Sequence, residues 1–111
     1  MGFVATLVSL FVAACLEAGG DAVIRIGLHS GSTGRRAALL AAGVLCLFGY
    51  GCLVNAGRWE FGRLLGLYIV FFFLLAQAVG WLVFGQAPSR GVWWGGLFVV
   101  VGGAILAASK R

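Results

Sequence analysis

The chain has 111 residues, 62% of them hydrophobic and 10% charged, with a formal net charge of +5. So little polar surface excludes an ordinary soluble globular domain, where apolar residues make up about half of the total. The charge does not mark a nucleic-acid binder either: Arg35, Arg36, Arg58, Arg63, Arg90, Lys110 and Arg111 all stand at the ends of apolar blocks, where lipid headgroups receive them.

The apolar blocks run, in chain order, over about 2–26, 37–55, 64–84 and 91–109. Each is long enough, with little to spare, to cross about 30 Å of hydrocarbon, which takes roughly 20 residues. They are apolar on all sides instead of alternating, which favours helices over the strands of a membrane barrel. The expected fold is an all-α membrane protein, a single domain over 1–111 built as a four-transmembrane-helix bundle. Its short connections require neighbouring helices to run antiparallel and put both termini on one side.

The first block opens without a lysine or arginine. A secretory signal peptide needs a positive start. The lipobox-like Val12-Ala13-Ala14-Cys15 is therefore expected to belong to a retained span. Within this block Glu17 is the most informative residue. An ionised side chain at that depth costs at least ~2.5 kcal/mol on insertion scales, so such acids face a cavity or a partner. A carboxylate there holds either a proton or an organic cation, and that competition is the simplest physical basis for proton-driven cation export. Asp21 and Arg25 follow at spacings of four, which places all three on one helix stripe. Acid before base at this spacing is the favourable order. Asp21 is expected to pair with Arg25, leaving Glu17 unpaired; the other reading ties Glu17 to Arg25 or to a neighbouring helix, as glue for the bundle.

Loop one, Gly27 to Arg36, is rich in Gly and Ser. Cys46 and Cys52 in the second span, like Cys15 in the first, form no CxxC pair, and the one histidine is His29. Small buried thiols that help helices pack are expected in place of a metal site or a disulfide. Loop two runs from Ala56 to Arg63. The third span carries Tyr68, Phe71, Phe72, Phe73, Gln77 and Trp81, of which Tyr68 is the candidate to face the same cavity as Glu17 and stack on a cation. Trp59, Trp93 and Trp94, near span ends, read as interfacial belt residues. Loop three, Gly85 to Arg90, holds Pro88, the only proline, expected to break the helix between spans three and four. The fourth span contains Gly95-Gly96 and Gly102-Gly103, which lie two turns apart on one face; glycines let helices approach closely in lipid. Gly95 and Gly102 are expected at a dimer seam, although packing within the chain would explain the pattern too.

Basic residues divide evenly between the two sides: Arg58, Arg63, Lys110 and Arg111 on the terminal side against Arg25, Arg35, Arg36 and Arg90. Such a tie gives no preferred orientation and permits insertion both ways up, unless Arg25 lies in the membrane and does not count.

Taken together these features resemble the small multidrug resistance (SMR) superfamily of bacterial transporters, over nearly the whole chain. Glu17, Gly20 and Arg25 are spaced like that family's membrane-embedded Glu, following Gly and later Lys. Phe84-Gly85-Gln86 is similar to its end of helix three, and Gly95 and Gly102 follow at the spacing of its dimerising fourth helix. Gly62-Arg63-x4-Tyr68 and Ala42-Gly43 look closer to a poorly characterised side branch, and Leu65 to Phe72 reads as a bulky run where the family carries Tyr-Ala-x-Trp and a glycine-rich kink. The resemblance implies an antiparallel homodimer, or a pair with a paralogue, in the bacterial inner membrane. Such a dimer exchanges protons for quaternary ammonium, aromatic or guanidinium cations at Glu17, with Tyr68 as the helix-three aromatic and no cofactor. Two other readings are a non-transporting subunit of a larger membrane complex and half of a heteromeric lipid-linked-sugar flippase. No catalytic triad, metal cluster or phosphate loop in the sequence supports an enzyme.

Overall fold

A computed structural model describes residues 2–109, which form four helices joined by short loops, with no strand among them. The helices are α1 (Phe3–Leu28), α2 (Thr33–Asn55), α3 (Phe61–Leu82) and α4 (Arg90–Ala108). Their 26, 23, 22 and 19 residues correspond to roughly 28–39 Å at the α-helical rise. All four are long and apolar enough to cross a membrane, the architecture of a multi-pass membrane protein. Lys110 and Arg111, half of the terminal-side charge in the orientation tie, lie outside the described residues.

Capping accounts for where the helices depart from the expected blocks. α2 begins at Thr33, ahead of 37, because the Ser32 hydroxyl accepts a hydrogen bond from the Arg35 amide at 3.4 Å and so draws the two arginines into the first turn. α3 ends at Leu82, and the agent is Gly85 instead of Pro88. Gly85 takes φ +69°, a left-handed conformation that costs a residue with a Cβ. Its amide donates to the Trp81 carbonyl at 3.1 Å, and the Gln86 amide to that of Gly80 at 2.9 Å. Pro88 lies downstream, just before Ser89, whose hydroxyl caps α4 by accepting from the Val92 amide at 3.3 Å.

α1 packs against both α2 and α3, and α4 docks on α3. The result is an open slab of 50 × 35 × 19 Å. Lipid offers helices no hydrophobic reward for associating, so contact depends on how closely backbones approach. The α1–α2 seam shows this directly. A Cβ at Gly20 would lie 3.0 Å from the Cys46 Cβ and 3.2 Å from the Gly43 carbonyl oxygen, and a Cβ at Gly43 would collide with the Ile24 side chain. On α4, Gly96 packs against Phe73 and Gly103 against Val70 of α3. The α3–α4 pair is also fastened at its end. The Arg63 guanidinium donates to the Leu106 carbonyl at 3.2 Å and to the Ala107 carbonyl, so a cation closes the C-terminus of α4.

The neighbouring helices alternate in direction. Phe3 meets Trp59 at 6.1 Å between ring centroids and Arg63 reaches Ala107 at one end, while Arg25 lies over Phe84 at the other. The core of Leu10, Ala13, Ala14, Val54, Leu64, Leu67 and Tyr68 lies where α1, α2 and α3 meet. Large apolar side chains such as Phe48, Leu82 and Phe98 are exposed, as befits surfaces that face lipid. Cys15 and Cys52 are exposed too, contrary to the expectation of buried thiols; only Cys46 stands in a helix seam, against Gly20.

Candidate functional site

The α1 stripe brings Glu17 to the face turned toward α3, half-buried at mid-helix. Tyr68, only 4% exposed, projects from α3 and donates its hydroxyl to Glu17 Oε1 at 2.8 Å. The two residues named from opposite halves of the sequence are thus in direct contact, and Glu17 is not the unpartnered group that the charge spacing suggested. The bond satisfies a carboxylate oxygen that would otherwise face hydrocarbon, at an expense far smaller than leaving it bare.

Around this bond stands an aromatic cluster. Tyr50 of α2 stacks on Tyr68 with ring centroids 5.4 Å apart and planes inclined at 26°, and Phe72, one turn along α3, lies 6.4 Å from Tyr68 on the same inclination. Three helices therefore contribute to one constellation: the acid from α1, a phenol from α2, a phenol and a phenyl ring from α3. Tyr50 was not singled out from the sequence. Its distance of 33 positions from Glu17 carries no local signal, and only the close α1–α2 approach at Gly20 and Gly43 brings it near. The π faces of such rings attract cations, and a carboxylate beside them supplies the charge that fixes one in place.

Asp21 and Arg25 behave differently from expectation. Both are exposed on α1, and the ion pair that their spacing offers is not formed. Arg25 instead extends toward α3, with its guanidinium 5.3 Å from the centroid of the Phe84 ring. The reason is geometric: with α4 docked elsewhere, the flank of α1 beside α3 is an open groove of about 560 Å³, and Phe84 at its rim offers Arg25 an apolar and π surface. Asp21, Ala18, Phe72, Ala76 and Gly80 line the same groove, which begins at Ala18, next to Glu17 in the chain.

Gly95 and Gly102 do not take part in the fold of the chain itself. Nothing lies within 4 Å of a Cβ built on either, whereas their neighbours Gly96 and Gly103 are filled by α3. The paired glycines thus separate into an inner face used by this chain and an outer face left smooth. Among the described residues no group of three His, Cys, Asp or Glu side chains comes together in the manner of a metal site. Comparison of the chain with protein-family models, curated proteins and solved structures gives no match.

Proposed function

We propose that this protein is a proton-coupled exporter of small organic cations, of the quaternary ammonium, aromatic or guanidinium type, working in the bacterial inner membrane as an antiparallel homodimer of the SMR kind. The observation that carries the reading is the Tyr68–Glu17 hydrogen bond at 2.8 Å within the Tyr50–Tyr68–Phe72 cluster. A carboxylate in a membrane-spanning helix with aromatic rings beside it matches the chemistry of a poorly hydrated cation: charge for charge, and π surface for the apolar body.

In this reading Glu17 holds a proton in one part of the cycle and the cation in the other. Tyr68 donates to the ionised carboxylate and keeps it oriented while the cation arrives, and the half-buried side of Glu17 remains open to receive it. Binding of the cation and binding of the proton exclude each other, so export of one draws the other inward. Gly95 and Gly102, open on the outer face of α4, supply the seam for a second copy. Alternating access then arises from exchange between the conformations of the two subunits.

The test is proton release from detergent-purified protein on addition of a panel of quaternary ammonium and guanidinium compounds, for wild type and Glu17→Gln. Release that saturates with cation and disappears in the variant is expected. Absence of release from folded wild-type dimer across the whole panel would overturn the exporter reading and favour a non-transporting membrane subunit.

A further inference from the structure

Beside the groove, where α1 ends and α2 begins, is a second pocket of about 550 Å³ lined by Arg25, His29, Ser30, Arg35 and Phe84. It contains two guanidinium groups and no acid in its lining. The His29 ring is held in one orientation, since Nδ1–H donates to the Arg25 carbonyl oxygen at 2.8 Å. A carbonyl only accepts, so the proton sits on Nδ1 and Nε2 is turned away from the helix. The pocket adjoins the α1–α3 groove through Arg25, His29 and Phe84, which line both, and the groove continues between apolar side chains that include Ile24, Leu28, Ala76 and Val79.

A basic pocket at the membrane edge that opens into an apolar groove along the helices has the shape and polarity of a phospholipid with a negative headgroup. We propose that Arg25 and Arg35 bind the phosphate of an anionic lipid, with an acyl chain in the α1–α3 groove. The ligand's charge is the reverse of that argued for Glu17, so the headgroup pocket is distinct from the cation site and does not depend on it, while the groove below it reaches Phe72 at the edge of the aromatic cluster. Guanidinium groups suit phosphate because they offer several donors in a fixed plane. Asp21, one turn further into the membrane on the same stripe, repels the phosphate and confines it to the mouth. Free phosphate would use the same donors but gain nothing from the groove, which is why a lipid is the occupant. Basic pockets between membrane helices recognise lipid headgroups on this principle.

The test is native mass spectrometry of the delipidated full chain in neutral detergent, titrated with palmitoyl-oleoyl phosphatidylglycerol or phosphatidylcholine. The expected result is a preference of about 30-fold for phosphatidylglycerol, from two arginines at the headgroup, abolished in Arg25→Gln/Arg35→Gln and retained in Arg58→Gln at the opposite end. Wild-type protein alone decides much of it: equal retention of the two lipids, or no lipid retained by a dimer whose second copy closes the groove, overturns the proposal. So does a preference that survives in the double variant with its helicity intact. Millimolar inorganic phosphate is expected to leave the bound lipid in place, and displacement by it would also overturn the lipid assignment.

Discussion

The adjacent glycines 102 and 103 allow a stringent check on the packing. Each is replaced by alanine in turn. In both variants the helix itself gains, because alanine is favoured over glycine in a helix interior by about 0.8–1.0 kcal/mol. At Gly103 the new methyl collides with the Val70 side chain. A β-branched residue within a helix has essentially one comfortable rotamer, so Val70 cannot swing aside and α3 and α4 must part. Overpacking of this kind costs about 1–3 kcal/mol. At Gly102 the methyl meets nothing of the same chain within 4 Å, so in the monomer, at a protein-to-detergent ratio low enough to keep copies apart, no steric term opposes the gain. The propensity term is common to both and cancels in the comparison, leaving Gly103→Ala less stable than Gly102→Ala by about 1–3 kcal/mol. Equilibrium unfolding in mixed micelles with increasing sodium dodecyl sulfate, followed by tryptophan fluorescence, measures that difference. Two variants within roughly 0.5 kcal/mol of each other, the ordinary scatter of a surface substitution, would refute the close α3–α4 approach. If the outer glycines also form a seam between copies, Gly102→Leu lowers the dimer fraction in cross-linking without destabilising the monomer.

Removing the ring that only the tertiary structure brings near, Tyr50→Leu, is expected to weaken cation binding by roughly 2- to 30-fold, the range of one cation–π contact, while leaving Glu17 able to release protons; isothermal titration with a guanidinium compound reads it, and unchanged affinity would remove Tyr50 from the site. Arg63→Gln loses the guanidinium bonds to the Leu106 and Ala107 carbonyls and the stack on Trp59 at 4.4 Å. The loss is expected to destabilise the end of α4 by about 1–2 kcal/mol, visible as faster amide exchange in its last turn and not in α2. Gly85→Ala forces a Cβ into a left-handed backbone and is expected to cost about 1–2 kcal/mol, measured as a lowered midpoint in the same detergent titration, with no change in ligand affinity.

The four spans were legible in the amino-acid sequence because hydrocarbon imposes a length and a composition that a one-dimensional pattern expresses directly. Glu17 was legible for the same reason, since an acid within such a block stands against its surroundings. Tyr68 could be named as the third-span aromatic expected to share a cavity with Glu17, but not its hydrogen bond to that residue. The tertiary structure alone decided that contact, the approach of Tyr50, the open slab, and the division of Gly95 and Gly102 from Gly96 and Gly103. It also turned the Arg25 guanidinium over Phe84, where helix spacing alone would have paired it with Asp21. The physical cause is common to all of these. In water an amphipathic stripe announces which face of a helix packs inward, whereas in lipid both faces are apolar and the choice falls to small residues and shape. A glycine pair marks where a helix can be approached, and only the neighbour's side chains, Val70 and Phe73 here, determine which glycine of the pair is used.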